Sequence, residues 1–85
     1  MEHLVAVPGH THLYRRGAVY YFRSAVPNDL KATYGKREEL RSLRTRDHKE
    51  AVKKLPAVTL EVMQGFEDHR RRLAGQGASS LGTYP

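Results

Sequence analysis

The chain has 85 residues, the size of one small domain, and it contains no cysteine. It therefore has neither a disulfide framework nor a cysteine zinc site, which fits a reducing cytoplasm. No apolar run approaches the roughly 20 residues of a membrane span, and the first ten residues are too short and too polar for a secretory signal. We expect a cytoplasmic protein with no membrane partner.

Basic charge is the most informative bulk property of the chain. Fifteen Lys and Arg against nine Asp and Glu give a formal net charge of +6. Residues 1–46 hold nine basic and four acidic side chains, a net of +5, whereas residues 47–85 hold six and five, a net of +1. This concentration of basic residues, most of them arginine, favours a polyanionic partner. The alternative is that the basic surface serves only solubility.

The first predicted elements are a flexible lead-in and a β-hairpin. Residues 1–12 have no hydrophobic period and are expected to form a loose lead-in. The stretch HLYRRGAVYYFRS then predicts that residues 13–15 pair with residues 18–24. The turn is predicted at Arg16-Gly17, where glycine supplies the positive φ that a tight turn requires.

The second strand alternates aromatic and basic residues between its two faces. Tyr20 and Phe22 point one way, while Val19, Tyr21 and Arg23 point the other. We assign Tyr20 and Phe22 to the core because the opposite set contains an arginine. The second set is then expected to face outward.

The stretch VPNDLKATYG predicts a short helix after this strand. Pro27 or Asn28 begins it, and Asp29 lies in the first turn, where the helix dipole favours an anion. Gly35 is expected to end the helix in a left-handed conformation.

A third strand is predicted for KREELRSLRT, with Leu40 and Leu43 as its aliphatic anchors. Adjacent strand residues point to opposite faces, and these two leucines are three residues apart. A bulge or a strand end is therefore expected between them.

A long amphipathic helix is predicted from Asp47, the N-cap of the capping box DHKE. Its apolar stripe consists of Ala51, Val52, Leu55, Val58, Val62, Met63, Phe66 and Leu73. The stripe stays in register across Pro56, so we predict one kinked helix, with two abutting helices as the alternative. Gly75 and Gly77 are expected to end it, and residues 75–85 to form a flexible tail or linker.

These elements predict an α+β domain over residues 13–74 in the order β-β-α-β-α. It combines a three-stranded antiparallel sheet, a short helix and a long, Pro-kinked C-terminal helix. One long helix covers only one face of a sheet. The other face, with Tyr21 and Arg23, is therefore predicted to be open.

The chain shows no catalytic constellation, since it has no cysteine nucleophile, no Gly-rich phosphate loop and no zinc-protease histidine pattern. His10 and His12 lie in the lead-in with no carboxylate at a metal-binding spacing. Glu38 and Glu39 are adjacent in a strand and point to opposite faces, so they do not form an acid pair. We expect a protein that is not an enzyme and takes no metal, cofactor or small-molecule substrate.

Duplex DNA is the predicted partner, because a small β-ribbon fits the major groove and arginine reaches guanine edges and phosphates. About five phosphate contacts would give a slope of log K against log salt near −4 to −5. If the strands are antiparallel neighbours, the basic side chains are expected to converge on one surface. The candidate DNA-binding residues are Arg15, Arg16, Tyr21, Arg23, Lys36, Arg37, Arg41, Arg44 and Arg46. The triplet at residues 70–72 is interpreted instead as charges that complement the C-terminal dipole of the long helix.

The ordered set LYRRGAVYYFRSAVPNDL, GKRE and RSLRTRDHKEA resembles the N-terminal domain found ahead of the core in phage-type integrases, which are tyrosine recombinases. The similarity covers roughly residues 13–73, with one departure at Arg44, where many members of that family carry glycine. It implies a non-catalytic module that holds a small sheet in the major groove of DNA. It also implies that catalysis belongs to a separate, larger domain, so that residues 75–85 lead toward a core-binding region and Tyr84 is not the nucleophile.

Two other functions remain open for the same sequence. The long helix or the sheet could dock neighbouring recombinase protomers, because the apolar stripe is longer than one small sheet can bury. The tyrosines of an open sheet could instead stack on RNA bases.

Overall fold

A computed structural model describes residues 3–80 of the chain, with side chains for residues 3–75. The fold is α+β, as predicted, with one antiparallel sheet of strand order β1-β2-β3-β4 and a long C-terminal helix. The elements in chain order are β1 Val5–Ala6, β2 Leu13–Arg16, β3 Val19–Ala25, α1 Lys31–Tyr34, β4 Glu38–Ser42 and α2 His48–Ser80.

The sheet has four strands, so the prediction of three was wrong. The extra strand, β1, lies in the predicted lead-in and pairs Val5 with Arg15 and Ala6 with Tyr14. The N–H of Val7 extends this pairing by donating to the carbonyl of Leu13 at 2.9 Å. A strand of two residues is too short to show the period-two alternation by which strands are predicted.

The hairpin between β2 and β3 is one residue longer than predicted. Arg16 pairs with Val19, so the turn is Gly17-Ala18 rather than Arg16-Gly17. Gly17 has a φ of +59° and is the first of the two turn residues. A two-residue hairpin turn needs a positive φ at that place, and this requirement fixes the register of the strands.

The predicted core assignment of β3 is confirmed. Tyr20 and Phe22 are buried, and Phe22 is 0% exposed. From α2, Ala51, Val62 and Phe66 of the predicted stripe are buried in the same cluster. The helix therefore covers the side of the sheet that carries Phe22, and the opposite side is left uncovered by α2.

The short helix α1 begins later than predicted. The chain from Pro27 makes a turn, closed by the N–H of Leu30 on the carbonyl of Pro27 at 2.9 Å, and helical residues begin at Lys31. Asp29 therefore lies before the helix, and its position in the first turn was wrong. Gly35 ends α1 with a φ of +91°, as predicted.

Strand β4 ends at Ser42, which confirms a strand end between the two leucines. Leu43 is buried, but Leu40 is 39% exposed and lies on the opposite face. The prediction that Leu40 anchors the strand was therefore wrong. Its face is decided by the register with β3, which pairs Leu40 with Arg23.

The helix α2 is one continuous element across Pro56, so the alternative of two abutting helices does not hold. Its start is as predicted, because the Asp47 carboxylate accepts the N–H of Glu50 at 3.1 Å. The predicted end at Gly75 and Gly77 was wrong, since the helix extends to Ser80. A helical glycine costs only about 1 kcal/mol, and it ends a helix when it adopts the left-handed conformation.

The tail predicted for residues 75–85 is thus helical as far as Ser80, and its remaining five residues lie outside the described part of the chain. Within the described residues, no helix combines the length and the apolar character that a membrane span requires.

Candidate nucleic-acid interface

The register of the sheet separates its side chains into two faces, because directly paired residues of antiparallel strands point the same way. Tyr14 pairs with Tyr21, and Arg23 pairs with Leu40, on the side away from α2. We call this side the open face. It consists of Ala6, Tyr14, Arg16, Val19, Tyr21, Arg23, Ala25, Glu38, Leu40 and Ser42, all of them exposed or half-buried.

Two arginines of the open face lie over two tyrosine rings. The guanidinium carbon of Arg16 is 5.0 Å from the ring centroid of Tyr21, and that of Arg23 is 5.3 Å from the ring centroid of Tyr14. Both contacts run diagonally between β2 and β3, around the directly paired tyrosines. Such cation–π contacts order the guanidinium groups over the rings. Because the N–H donors lie in the plane of the guanidinium, stacking leaves them able to form hydrogen bonds. We call these four residues the Arg–Tyr cluster.

One acidic side chain also belongs to the open face. The Arg23 Nε donates to the Glu38 carboxylate at 3.0 Å, and both side chains are partly exposed. The open face therefore holds two arginines and one glutamate, a net of +1. The open face is therefore less basic than expected from the sequence. The sequence alone did not reveal that Glu38 lies on the same face as Arg23, because that depends on the register between β3 and β4.

Arg41 lies on the opposite side of the sheet, against α2. It pairs with Phe22 in the sheet register, and its Nη1 donates to the Glu61 carboxylate of α2 at 2.9 Å. Its Nη2 is 3.6 Å from a carboxylate oxygen of Glu39. The prediction that all candidate arginines converge on one surface was therefore wrong for Arg41.

Two further candidates also lie away from the open face. Arg15 pairs with Tyr20, whose side chain is in the core, so it belongs to the helix side of the sheet. Lys36 donates from its Nζ to the Glu39 carboxylate at 3.1 Å on that same side. Arg37 is exposed in the segment before β4, where its carbonyl accepts the N–H of Val26 at 2.9 Å.

The buried carboxylate of Glu39 is the centre of a polar network under the sheet, and sequence reasoning missed it. It accepts a hydrogen bond from the Tyr34 hydroxyl at 2.7 Å besides the one from Lys36. Burial alone would raise the pKa of Glu39, but these two hydrogen bonds and the charges of Lys36 and Arg41 bring the pKa below its ordinary value. Burial, and then the bond to Glu39, raise the pKa of Tyr34.

Glu38 and Glu39 do point to opposite faces, as predicted, so they form no acid pair. The sequence signal for the Glu39 network was weak. Its members come from three segments, and only the turn at Gly35 brings Tyr34 back over β4.

The remaining candidates, Arg44 and Arg46, lie in the loop between β4 and α2. Both are exposed, and neither guanidinium makes an ion pair with any side chain that the structure describes. Arg44 has a φ of +53°, a left-handed conformation that is uncommon for a residue with a Cβ.

The arginine triplet at residues 70–72 does not complement a helix C-terminus, because α2 continues to Ser80. Arg70 instead donates two hydrogen bonds to the Asp29 carboxylate, at 2.9 and 3.1 Å. Hydrogen bonding to Arg70 lowers the pKa of Asp29. Arg70 therefore ties the turn before α1 to the long helix, whereas Arg71 pairs with Asp68 within α2.

Metal-binding geometry is not found in the described part of the chain, where no three His, Asp or Glu side chains cluster suitably. His10 does approach His48 at the start of α2, with a ring-centroid distance of 5.4 Å, and His48 also contacts the Tyr20 ring. These are edge-on aromatic contacts at the end of the core.

Residues 12–71 match the family described as a domain of unknown function, DUF6538. No curated protein and no solved structure shows a significant match to the chain. The family match runs from β2 through the first 24 of the 33 residues of α2, and so includes β2, β3, β4 and the β4–α2 loop. The chain belongs to the DUF6538 family.

Proposed function

We propose that this domain is a non-catalytic DNA-binding module of a phage-type tyrosine recombinase, and that it presents the open face of its sheet to duplex DNA. The observation that supports this most directly is the Arg–Tyr cluster. It places Arg16 and Arg23 in fixed positions on the one side of the sheet that α2 does not cover.

The cluster suits a groove of DNA in size and chemistry. It lies on β2 and β3, the two central strands of the sheet. Neighbouring strands are about 4.8 Å apart, so this strand pair is narrower than the roughly 12 Å wide major groove. Arginine donors reach guanine edges or phosphates, and tyrosine hydroxyls reach phosphates. Each guanidinium is already ordered on a ring, so binding costs less side-chain entropy than it would for a free arginine.

The proposed contact set is smaller than the set predicted from the sequence. Arg41 and Lys36 are bound to carboxylates on the helix side, and Arg15 points to that side. Arg37 lies opposite the buried Val26 in the segment before β4, and is left out for the same reason. The remaining contact residues are the Arg–Tyr cluster and the two loop arginines. Four arginine contacts correspond to a slope of log K against log salt of about −3 to −4.

Duplex DNA is a better partner for this surface than single-stranded RNA. Base stacking needs a free ring face on an exposed aromatic residue. Tyr14 and Tyr21 each carry a guanidinium over one ring face, at 5.3 and 5.0 Å. One face of each ring is thus occupied by a cation, which favours phosphate and groove contacts over stacked bases.

Titration of a fluorescently labelled duplex at 50 and 200 mM salt tests the proposal. Four phosphate contacts predict an affinity loss of about 10²-fold between these two concentrations. Affinity that does not change with salt would contradict a DNA interface of this kind. Competition with unlabelled single-stranded RNA separates the duplex from the RNA alternative.

A matched pair of variants then tests which face binds. Arg15 and Arg16 are neighbours on β2, both exposed, and they belong to opposite faces. Arg16→Ala and Arg15→Ala remove the same charge, but only Arg16→Ala is expected to lower the affinity, by about fivefold to tenfold at 0.1 M salt. Equal losses in the two variants would reject the open face as the interface.

A further inference from the structure

The loop between β4 and α2 is fixed to the sheet by its backbone. The N–H of Leu43 donates to the carbonyl of Tyr20 at 3.0 Å, and the N–H of Tyr20 donates to the carbonyl of Thr45 at 3.0 Å. The Leu43 and Thr45 side chains are both buried. Residues 43 and 45 therefore point inward, and the arginines that follow each of them are exposed.

Side-chain hydrogen bonds complete the fixation of this loop. The Ser42 hydroxyl accepts the N–H of Arg44 at 3.1 Å, and the Thr45 hydroxyl accepts the N–H of Asp47 at 3.1 Å. From α2, the Lys54 ammonium donates to the carbonyl of Leu43 at 3.0 Å. The loop is thus held at several consecutive residues and presents its arginines from a rigid support.

Arg44 occupies the least favourable backbone conformation in this loop. Its φ of +53° brings the Cβ close to the backbone, a conformation that glycine adopts freely and that other residues adopt at a cost. Within the described residues, the Arg44 guanidinium has no hydrogen bond and no ion pair that would offset this cost. The backbone hydrogen bonds of the loop hold this conformation, but no bond of the guanidinium within the described residues explains why an arginine occupies it, and strained backbone of this kind clusters at binding sites.

We infer that Arg44 is a phosphate anchor for duplex DNA, kept in a strained conformation at the expense of stability. This inference rests on the proposed function. Arg44 lies two residues beyond Ser42, which pairs with Tyr21 on the open face. When the sheet lies in the groove, the Arg44 guanidinium is expected to bind a phosphate of the adjacent DNA backbone. The rigid loop orders the Arg44 backbone before DNA binds.

Three substitutions at this position separate charge from strain. Arg44→Gly removes both, Arg44→Ala removes only the charge, and Arg44→Lys keeps both. Both uncharged variants should bind duplex DNA about fivefold to tenfold more weakly at 0.1 M salt, with a salt slope smaller by about 0.9, and Arg44→Lys should keep the wild-type slope. Arg44→Gly should also melt about 2–6 °C above Arg44→Ala, because relief of the left-handed strain exceeds the extra backbone entropy of glycine.

The outcomes distinguish this inference from the proposed function. If Arg44→Gly binds duplex DNA as tightly as wild type while Arg16→Ala binds weakly, the open face stands and the anchor is rejected. If wild type itself shows no salt-dependent DNA binding, both are rejected. Equal melting temperatures for Arg44→Gly and Arg44→Ala would overturn the claim that stability is given up at this position.

Discussion

Arginine has two different environments on the two faces of this sheet. Arg23, on the open face, lies 5.3 Å over the Tyr14 ring and pairs with the partly exposed carboxylate of Glu38 at 3.0 Å. Arg41, on the helix side, is tied to the carboxylates of Glu61 and Glu39. The two residues sit on neighbouring strands, one register position apart. The parity of a basic residue in a strand therefore decides which face of the sheet it lies on, and the number of basic residues in the sequence does not reveal that parity.

The largest expected effect on stability comes from Phe22, the buried residue next to Arg23 in β3 that pairs with Arg41. Phe22→Ala removes a fully buried ring and should cost about 3–5 kcal/mol, most of the stability available to a domain of this size. We expect loss of the folded state in far-UV circular dichroism and in thermal melts. The control is Tyr21→Ala, the next residue on the open face, which should stay folded. A Phe22→Ala protein that melts near the wild-type midpoint would show that the faces are assigned wrongly.

The Glu39 network should make stability depend on pH. The pKa of Glu39 is lower in the folded protein than its ordinary value, so the folded state binds this proton less readily than the unfolded chain. Its stabilising contribution is therefore complete above about pH 4.3, the unfolded pKa, and is lost as the pH falls through the lower folded pKa. Glu39→Gln should lower stability at pH 7 by about 1–3 kcal/mol and flatten the decline below pH 5.

Melting temperatures of wild type and Glu39→Gln at pH 7 and pH 3.5 measure this effect. Glu38→Gln is the matched control, because that residue is the neighbour of Glu39 and pairs with Arg23 on the open face. Its loss at pH 7 should be smaller, since exposed ion pairs contribute at most about 1 kcal/mol. If the melting temperatures of wild type and Glu39→Gln fell by the same amount between pH 7 and pH 3.5, the role of the Glu39 network would be contradicted.

A smaller and more selective effect is expected from the two arginines. Arg41→Ala should lower the melting temperature by about 4–8 °C, corresponding to roughly 1 kcal/mol, and leave DNA affinity nearly unchanged. Arg23→Ala should weaken DNA binding by about fivefold to tenfold at 0.1 M salt. Its melting temperature should fall no further than that of Arg41→Ala, because the ion pair with Glu38 is partly exposed. The sequence alone predicts weaker DNA binding for both residues. Equal DNA losses in the two variants would restore that simpler interpretation.

The parts of the fold that could be predicted are those encoded over a few neighbouring residues. The alternation of β3 identified Phe22 as core, the capping box identified the start of α2, and Gly35 identified the end of α1. Each depends on a local period or on one backbone angle. The apolar stripe of α2 likewise predicted buried positions such as Val62.

The parts that could not be predicted depend on pairing between distant segments. The faces of Leu40 and Arg41 follow from the register of β4 against β3, which is set by the turn and helix between those strands. The pairing of β1 with β2 rests on two residues, too few for a pattern. Of the candidate residues, the structure places Arg16, Tyr21 and Arg23 on one face of the sheet. It places Arg15 and Arg41 on the other face, because their parity follows from strand registers that the sequence does not reveal.

Chemical-shift mapping of the labelled domain with a short random duplex shows directly which surface contacts DNA. If the open face and the β4–α2 loop bind the duplex, the largest shift changes should fall at Tyr14, Arg16, Tyr21, Arg23 and Arg44. Signals of Glu61 and Val62 on α2, behind the sheet, should remain close to their positions in the free protein. Changes concentrated on α2, with the Arg–Tyr cluster unaffected, would contradict binding through the open face.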